Sequence, residues 1–253
     1  MINYTNSFFY WLRSRLKINR GEVKLRFEKK VFITENVIKK EEIIRKIYEL
    51  TPWYHSFSQI DYQLLLYRIE LMEKALEEKK LPNVIHAADA GSTNFYYAAA
   101  LHQFYQKHSM LQRLEGIEVD AYRMYDNFHS RIDYAKAYIK GLDCVNYLPI
   151  DFLNYTNKVN VLTMFLPFVF EEPLLMWGLP LSKYQPLAYM KHAYECLENG
   201  GLWIITNQGK EEQKKQHELL DALNITYEDK GAFYSDFYTY KIPHFLTIIK
   251  KPN

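Results

Sequence analysis

The stretch that most constrains this chain runs from Val84 to Leu101, VIHAADAGSTNFYYAAAL. Val84 to Ala88 is a short apolar run with an acid, Asp89, at its end. Gly91, Ser92, Thr93 and Asn94 then turn the chain into an Ala- and aromatic-rich segment with helical character. Strand, tight loop and helix in that order form a unit of an open α/β sheet. The loop lies at the carboxyl end of the strand, where a nucleotide-like ligand can approach backbone N–H groups and a helix N-terminus. Gly91 is the single glycine of this loop, so the full glycine fingerprint of a dinucleotide site is missing.

A chain of 253 residues with 48% hydrophobic residues can bury a sizeable core as one domain with an extension. The net charge of +2 argues against a general polyanion binder. The first fifty residues nevertheless hold 12 Lys and Arg against 6 Asp and Glu, a balance that suits a solvated face of amphipathic helices. Cys144 and Cys196 are far apart and lack a metal-type spacing, so neither a disulfide framework nor a zinc site is indicated, and a reducing cytosol fits. Phe8 to Leu12 is too short for the apolar core of a secretory signal. Val159 to Leu181, the most apolar region, is interrupted by Glu171, Glu172, Pro173 and Pro180, which disfavours a membrane span. A soluble, cytoplasmic protein is expected.

Residues 1–82 read as a mainly helical extension or cap, with helices over Ser7 to Leu16, Val37 to Leu50 and from Gln59 until Leu81-Pro82 ends the pattern. Val23 to Ile33 reads as extended. Thr51 to Phe57 forms an aromatic-rich turn that either overlies a ligand or packs the cap on the main domain. Residues 83–253 then alternate. Gly116 to Asp120 is a second strand, Ser130 to Gly141 a helix, Cys144 to Phe152 a third strand ending in Asp151, and Lys158 to Phe165 a central strand buried on both faces. A long connection, Leu166 to Pro186, has the length of a functional lid. Leu187 to Leu197 is helical, Glu198 to Gly201 a turn, Leu202 to Thr206 a fifth strand and Lys210 to Leu223 a charged helix. Thr226 to Phe233 and Ile242 to Lys250 close the chain as an antiparallel pair, because no crossover helix fits between them.

This order of pieces resembles the class I S-adenosylmethionine-dependent methyltransferases over roughly residues 83–251. Asp89-Ala90-Gly91 is similar to the acidic-x-Gly start of their first motif, and Gly116-Ile117-Glu118 to the end of their second strand. Pro149-Ile150-Asp151 resembles the acidic end of their third strand, and Leu197 to Gly201 their Leu-x-x-Gly-Gly turn. The resemblance implies an α/β fold: a Rossmann-like, mostly parallel seven-stranded sheet with helices on both faces and an antiparallel last strand. The implied cofactor is S-adenosylmethionine. Asp89, Gly91, Ser92 and Asn94 would lie by its methionine part, Glu118 with Asp120 by the ribose hydroxyls, and Asp151 with Phe152 by the adenine. Thr93 and Phe95 depart from the family's further glycines, and Phe95 adds bulk where close approach to the cofactor is expected, which leaves loss of cofactor binding open. Asn94 is a residue able to supply a left-handed turn there. Asn160 stands where an Asp is frequent.

No catalytic base is evident. His55 and Tyr54 in the cap, and Glu171, Glu172 and Tyr184 in the lid, are candidates by location, while His86 inside the first strand reads as a hydrogen-bonded structural residue. Phe165-Leu166-Pro167-Phe168 lacks the Asp/Asn-Pro-Pro-aromatic motif of base-amine methylation, and no Pro-Cys nucleophile is present in that region. A small, partly apolar methyl acceptor is therefore the first reading. A methyltransferase-like binding or scaffold protein is the second, and an RNA-modifying enzyme using Arg13, Arg15, Lys17 and Arg20 the third. A dehydrogenase is disfavoured by the terminal strand pair.

Overall fold

Alternation along the central strands decides the architecture. In the computed structural model, which describes residues 1–21, 23–77 and 79–253, β1 (Val84–Ala90) and β4 (Val159–Phe165) are buried on both faces. Ala87 and Val161 face one core with Leu65, Leu101 and Phe104, whereas Ala88 and Leu162 face a second core with Met190, Ala193 and Leu220. Helices must therefore cover both sides. Helices α4 (Gln59–Leu76), α5 (Ala98–His108) and α6 (Arg131–Ile139) supply one layer, and α8 (Pro186–Cys196) with α9 (Gly209–Ala222) the other.

Among the described residues seven strands form one sheet. With β2 (Met110–Ile117), β3 (Val145–Leu148), β5 (Leu197–Gln208), β6 (Glu228–Phe233) and β7 (His244–Lys250) the order is β3-β2-β1-β4-β5-β7-β6. The first five strands run parallel, and β7 pairs antiparallel with both β5 and β6. This is the mixed, mostly parallel sheet that the resemblance implied. Asn160 clamps β4 to β1: its Oδ1 accepts His86 N at 3.0 Å and its Nδ2 donates to Val84 O at 2.8 Å. His86 is only half-buried and meets Gln112 Oε1 through Nε2 at 3.0 Å.

Toward the N-terminus, α1 (Ile2–Leu16), α2 (Glu35–Ile47) and the short α3 (Thr51–Tyr54) precede α4. Ser58 caps α4 by accepting from Asp61 N, and Tyr62, Leu65, Leu66, Ile69 and Met72 bury the helix in the same core as β1 and α5. The aromatic turn at Thr51 to Phe57 serves this core. Trp53 and Tyr54 pack against it, and Tyr54 meets Tyr62 edge-on at 5.4 Å. Among the described residues no helix is long and apolar enough to cross a membrane.

Five sequence expectations are corrected. Val23 to Ile33 forms no strand. The second strand, expected over Gly116 to Asp120, is β2 at Met110–Ile117, so Glu118 and Asp120 lie in the loop that follows it. The third strand stops at Leu148, and Asp151 lies beyond it, accepting from Leu153 N to start a 3-10 turn. Glu198 to Gly201 does not separate α8 from β5: β5 begins at Leu197 and carries these residues as an irregularity, with Gly200 at φ 73°. Finally, α5 starts only at Ala98, so the loop after β1 extends to Tyr97.

Candidate functional site

A cavity of about 520 Å³ lies at the carboxyl ends of β1, β2, β4 and β5. Gly91 and Glu118 form part of its floor, and Phe152, Tyr189 and Met190 form one side. Phe168 and Trp177 of the long Leu166 to Pro186 connection cover it, Arg68 enters from α4, and Gln208 and Glu212 stand beyond β5. The connection contains a short helix, α7 (Glu171–Met176), and is fastened to α1: Asn6 Nδ2 donates to the carbonyls of Leu175 and Leu179 at 2.9 and 3.0 Å, and Leu181 N donates to Asn3 Oδ1 at 2.8 Å.

The loop after β1 is held by its own backbone. Gly91 N and Ser92 N both donate to Ile117 O, Thr93 N donates to Glu118 Oε2 at 2.9 Å, and Tyr147 OH donates to Thr93 O. These N–H groups are therefore spent inside the protein. Positive φ falls on Gly91 (83°), Thr93 (53°) and Phe95 (54°). Asn94 is thus not the left-handed residue, and two side-chain-bearing residues adopt the strained conformation instead. Phe95 does not crowd the cavity either. Its ring is fully buried over Gly116 of β2 and meets Tyr97 edge-on at 5.7 Å. A Cβ built at Gly91, in contrast, would find nothing within 4 Å, so open space lies beside that residue.

Asp89 is buried beneath the loop and does not line the cavity. Thr163 Oγ1 donates to its Oδ1 and Tyr97 OH to its Oδ2, each at 2.6 Å. Burial pushes its carboxyl up to about 6, against the pull of those two hydrogen bonds. Ser92 is also buried, and its hydroxyl lacks a hydrogen-bond partner among the described residues; neither Ser92 nor Asn94 lines the cavity.

Glu118 does line it. Its Oε1 accepts Asp120 N at 2.7 Å and Arg131 Nη1 at 3.2 Å, and its Oε2 accepts Thr93 N. Burial raises its pKa, opposed by Arg131 and the two backbone N–H groups. A carboxylate offers about four acceptor positions, so one remains for a ligand hydroxyl. Asp120 is turned away from the cavity toward α1, where Arg13 Nε and Nη2 bind its two oxygens and Nη2 also reaches Gly178 O at 2.9 Å.

After β3 the two predicted residues divide. Phe152 lines the cavity, while Asp151 holds the residues beside it: Lys183 Nζ donates to Oδ2 at 2.7 Å and Tyr189 OH to Oδ1 at 2.6 Å. Burial opposes ionisation of Asp151, but the bonds from Lys183, Tyr189 and Leu153 N outweigh it and hold the pKa below the ordinary value. Gly91, Glu118 and Phe152 are thus brought together, whereas Asp89, Asp120 and Asp151 act behind them.

The candidate bases lie elsewhere. His55, Tyr54, Glu171, Glu172 and Tyr184 do not line the cavity, and Tyr184 OH donates to Val169 O at 3.0 Å. Sequence reasoning missed Arg68, Tyr96, Trp177 and Glu212. Glu212 accepts Gln208 N at 2.8 Å, and burial raises its pKa despite that bond, which makes it the titratable acid at the β5 end of the cavity.

No family model and no curated protein sequence matches this chain. Among solved structures, the YcgJ protein of Bacillus subtilis is similar at 10% identity over 74% of this chain and 99% of its own, with a TM-score of 0.50. N-methyltransferase NodS of Bradyrhizobium japonicum is similar at 10% identity over 76% and 97%, with a TM-score of 0.48. A candidate class I S-adenosylmethionine-dependent methyltransferase of Listeria monocytogenes is similar at 14% identity over 76% of this chain, with a TM-score of 0.49; the chain spans 60% of that protein's length. At these identities the likeness is one of fold alone, and the strand order with the reversed β7 makes that fold a Rossmann-like, mostly parallel seven-stranded sheet with an antiparallel last strand.

Proposed function

We propose that this chain is an S-adenosylmethionine-dependent methyltransferase acting on a small, partly apolar acceptor, with residues 83–253 as the catalytic domain and 1–82 as an N-terminal extension. The observation that carries the reading is the cavity itself. It lies at the carboxyl ends of the parallel strands, its volume is that of a small-molecule site, and one buried acid, Glu118, reaches it with an acceptor position to spare. The residues present fit the cofactor. Glu118 would accept from a ribose hydroxyl, Phe152 and Tyr189 would flank the adenine, and the open space beside Gly91 would admit the amino-acid part.

When bound, the cofactor supplies an electrophilic methyl group. The chain's own contribution is to exclude water with Phe168 and Trp177 and to fix the acceptor in line with that methyl group. Glu212 is the residue we assign to take a proton from the acceptor, because its raised pKa suits a base and it faces the half of the cavity away from Phe152.

Calorimetric titration with S-adenosylmethionine and S-adenosylhomocysteine tests the reading. Micromolar binding, about −8 kcal/mol, that weakens at least tenfold in Glu118→Gln supports it. A folded protein that evolves no heat with either compound overturns it. A binding or scaffold role is then favoured, a second reading supported by the internal use of the Gly91, Ser92 and Thr93 N–H groups. An RNA-modifying role has less support, since Arg13 of the basic N-terminal segment is engaged by Asp120.

A further inference from the structure

Helix α4 sends one charged side chain into the cavity. Arg68 is 5% exposed, and its guanidinium lies 3.6 Å from the centre of the Phe165 ring and 4.4 Å from that of Tyr97. Its Nε and Nη1 are buried without a hydrogen-bond partner among the described residues. The groups around it are the side chains of Tyr67, Tyr96, Tyr97 and Tyr240, together with Asp89 and His244. Asp89 is the acid in this group, but it accepts from Thr163 and Tyr97 and no hydrogen bond joins it to Arg68 Nε or Nη1, while Tyr67 OH meets His244 Nδ1 at 2.8 Å. Arginine keeps its proton in protein interiors, and a buried charge without a bonded partner is strongly unfavourable. A helix that buries such a group beside an open cavity holds a receptor for something that is not part of the chain.

Strand order says which half of the cavity this is. Phe152 follows β3, Glu118 follows β2 and Gly91 follows β1, so the nucleoside side of the proposed site occupies one flank. Phe165, on which Arg68 lies, is the last residue of β4, and Gln208 and Glu212 follow on from β5. Arg68, between Tyr97 after β1 and Phe165 at the end of β4, therefore stands where the acceptor's half begins. Its surroundings also select the charge of the ligand. With Asp89 already in its field, the guanidinium balances at most one negative charge, as on a carboxylate, and leaves much of a phosphate monoester's charge of nearly −2 uncompensated.

Building on the methyltransferase reading, we propose that the acceptor is a small carboxylic acid whose carboxylate pairs with Arg68, whose apolar body lies against Phe165, Phe168 and Trp177, and whose separate hydroxyl takes the methyl group, its proton passing to Glu212 as the sulfonium becomes a thioether. Aromatic contact and charge recognition then come from one place, because the ring that seats the guanidinium also borders the space for the ligand.

The test is calorimetry on protein saturated with S-adenosylhomocysteine, and again on the ligand-free protein, using phenylacetate, trans-cinnamate and octanoate, each beside its own amide. The expected result is that at least one acid binds at least tenfold more tightly than its amide and that Arg68→Met abolishes the difference. Acids and amides that bind alike, acids that do not bind, or a preference that survives in Arg68→Met overturn the proposal. Binding of S-adenosylhomocysteine and of 5′-methylthioadenosine, which lacks the amino-acid part, separates the other source of a carboxylate. Should Arg68→Met weaken the first at least tenfold and leave the second unchanged, the carboxylate at Arg68 belongs to the cofactor and the acceptor assignment fails. Absence of S-adenosylhomocysteine binding to the wild type defeats the cofactor reading alone, because the acid and amide comparison is also made without it. The melting temperature of ligand-free Arg68→Met is expected to equal or exceed that of the wild type. If that variant does not fold, Arg68→Lys, which keeps the charge and loses the planar fork, is expected to retain part of the acid preference; full loss of folding in both overturns the view of Arg68 as a ligand group.

Discussion

The ring of Phe95 occupies the space that a side chain at Gly116 would need: an ideal Cβ at position 116 would come within 2.6 Å of Phe95 Cδ1. The glycine in β2 is thus paired with a bulky residue in the loop after β1, and together they hold the loop on the sheet. Gly116→Ala is expected to destabilise the protein by about 1–3 kcal/mol through overpacking. Adding Phe95→Leu is expected to recover part of that loss, so chemical denaturation of the two single variants and the double variant should show clear non-additivity. Strict additivity would mean that the two positions do not compete for the same volume.

Arg13 joins α1 to Asp120 and to Gly178 of the connection over the cavity. Replacing it by Met removes a charge-assisted pair from a buried carboxylate, although Arg123 and Arg131 remain at 3.8 and 3.9 Å. A loss on the order of 1–3 kcal/mol is expected in the docking of this region. Hydrogen exchange should rise in residues 2–16 and 171–183 while the central strands stay protected. Uniform acceleration across β1 and β4 would contradict a local clasp.

Asp89 provides a pH signature. In the native protein its carboxyl keeps its proton to about pH 6, whereas the ordinary value is 3.8, so between these limits the folded state binds more protons than the unfolded chain. The stabilising contribution is complete below pH 3.8 and is lost as pH rises through 6. Asp89→Asn removes the ionisation, and the stability of the variant relative to wild type should rise between pH 4 and 7 by about 2 kcal/mol. His244, lowered to about 4 by burial and by Arg68, acts in the opposite direction, losing stability as pH falls from 6.5 toward 4, but it is common to both proteins. A difference that stays flat with pH would show that Asp89 titrates normally.

Local features of the site were legible where neighbouring residues set them. The apolar run ending in Asp89, the following Gly91 and the acid at Glu118 each announce a strand end within a few residues, and the structure puts all three at the same sheet edge. What the residues do there depends on partners far away in the chain. Asp120 faces Arg13 across 107 positions, Asp151 faces Lys183 across 32, and no local pattern reports either pairing. Phe95 looked like bulk in a ligand site because its counterpart, Gly116, lies on another strand. Arg68 was hidden for a different reason. In a repeating amphipathic pattern a charged residue reads as solvent-facing, but α4 is buried around most of its circumference, so tertiary burial overrides the pattern.

The loop between β1 and α5 has a thermodynamic consequence for any molecule that enters above it. Its backbone is already fixed through Ile117 O, Glu118 and the Tyr147 hydroxyl, with left-handed turns set at Thr93 and Phe95. Freezing a mobile loop of similar length would withhold roughly 1–2 kcal/mol of affinity for every residue ordered. Here that ordering belongs to the folding of the chain, so association at Gly91 should show the heat-capacity change of surface burial without the added signature of a segment that folds around its guest.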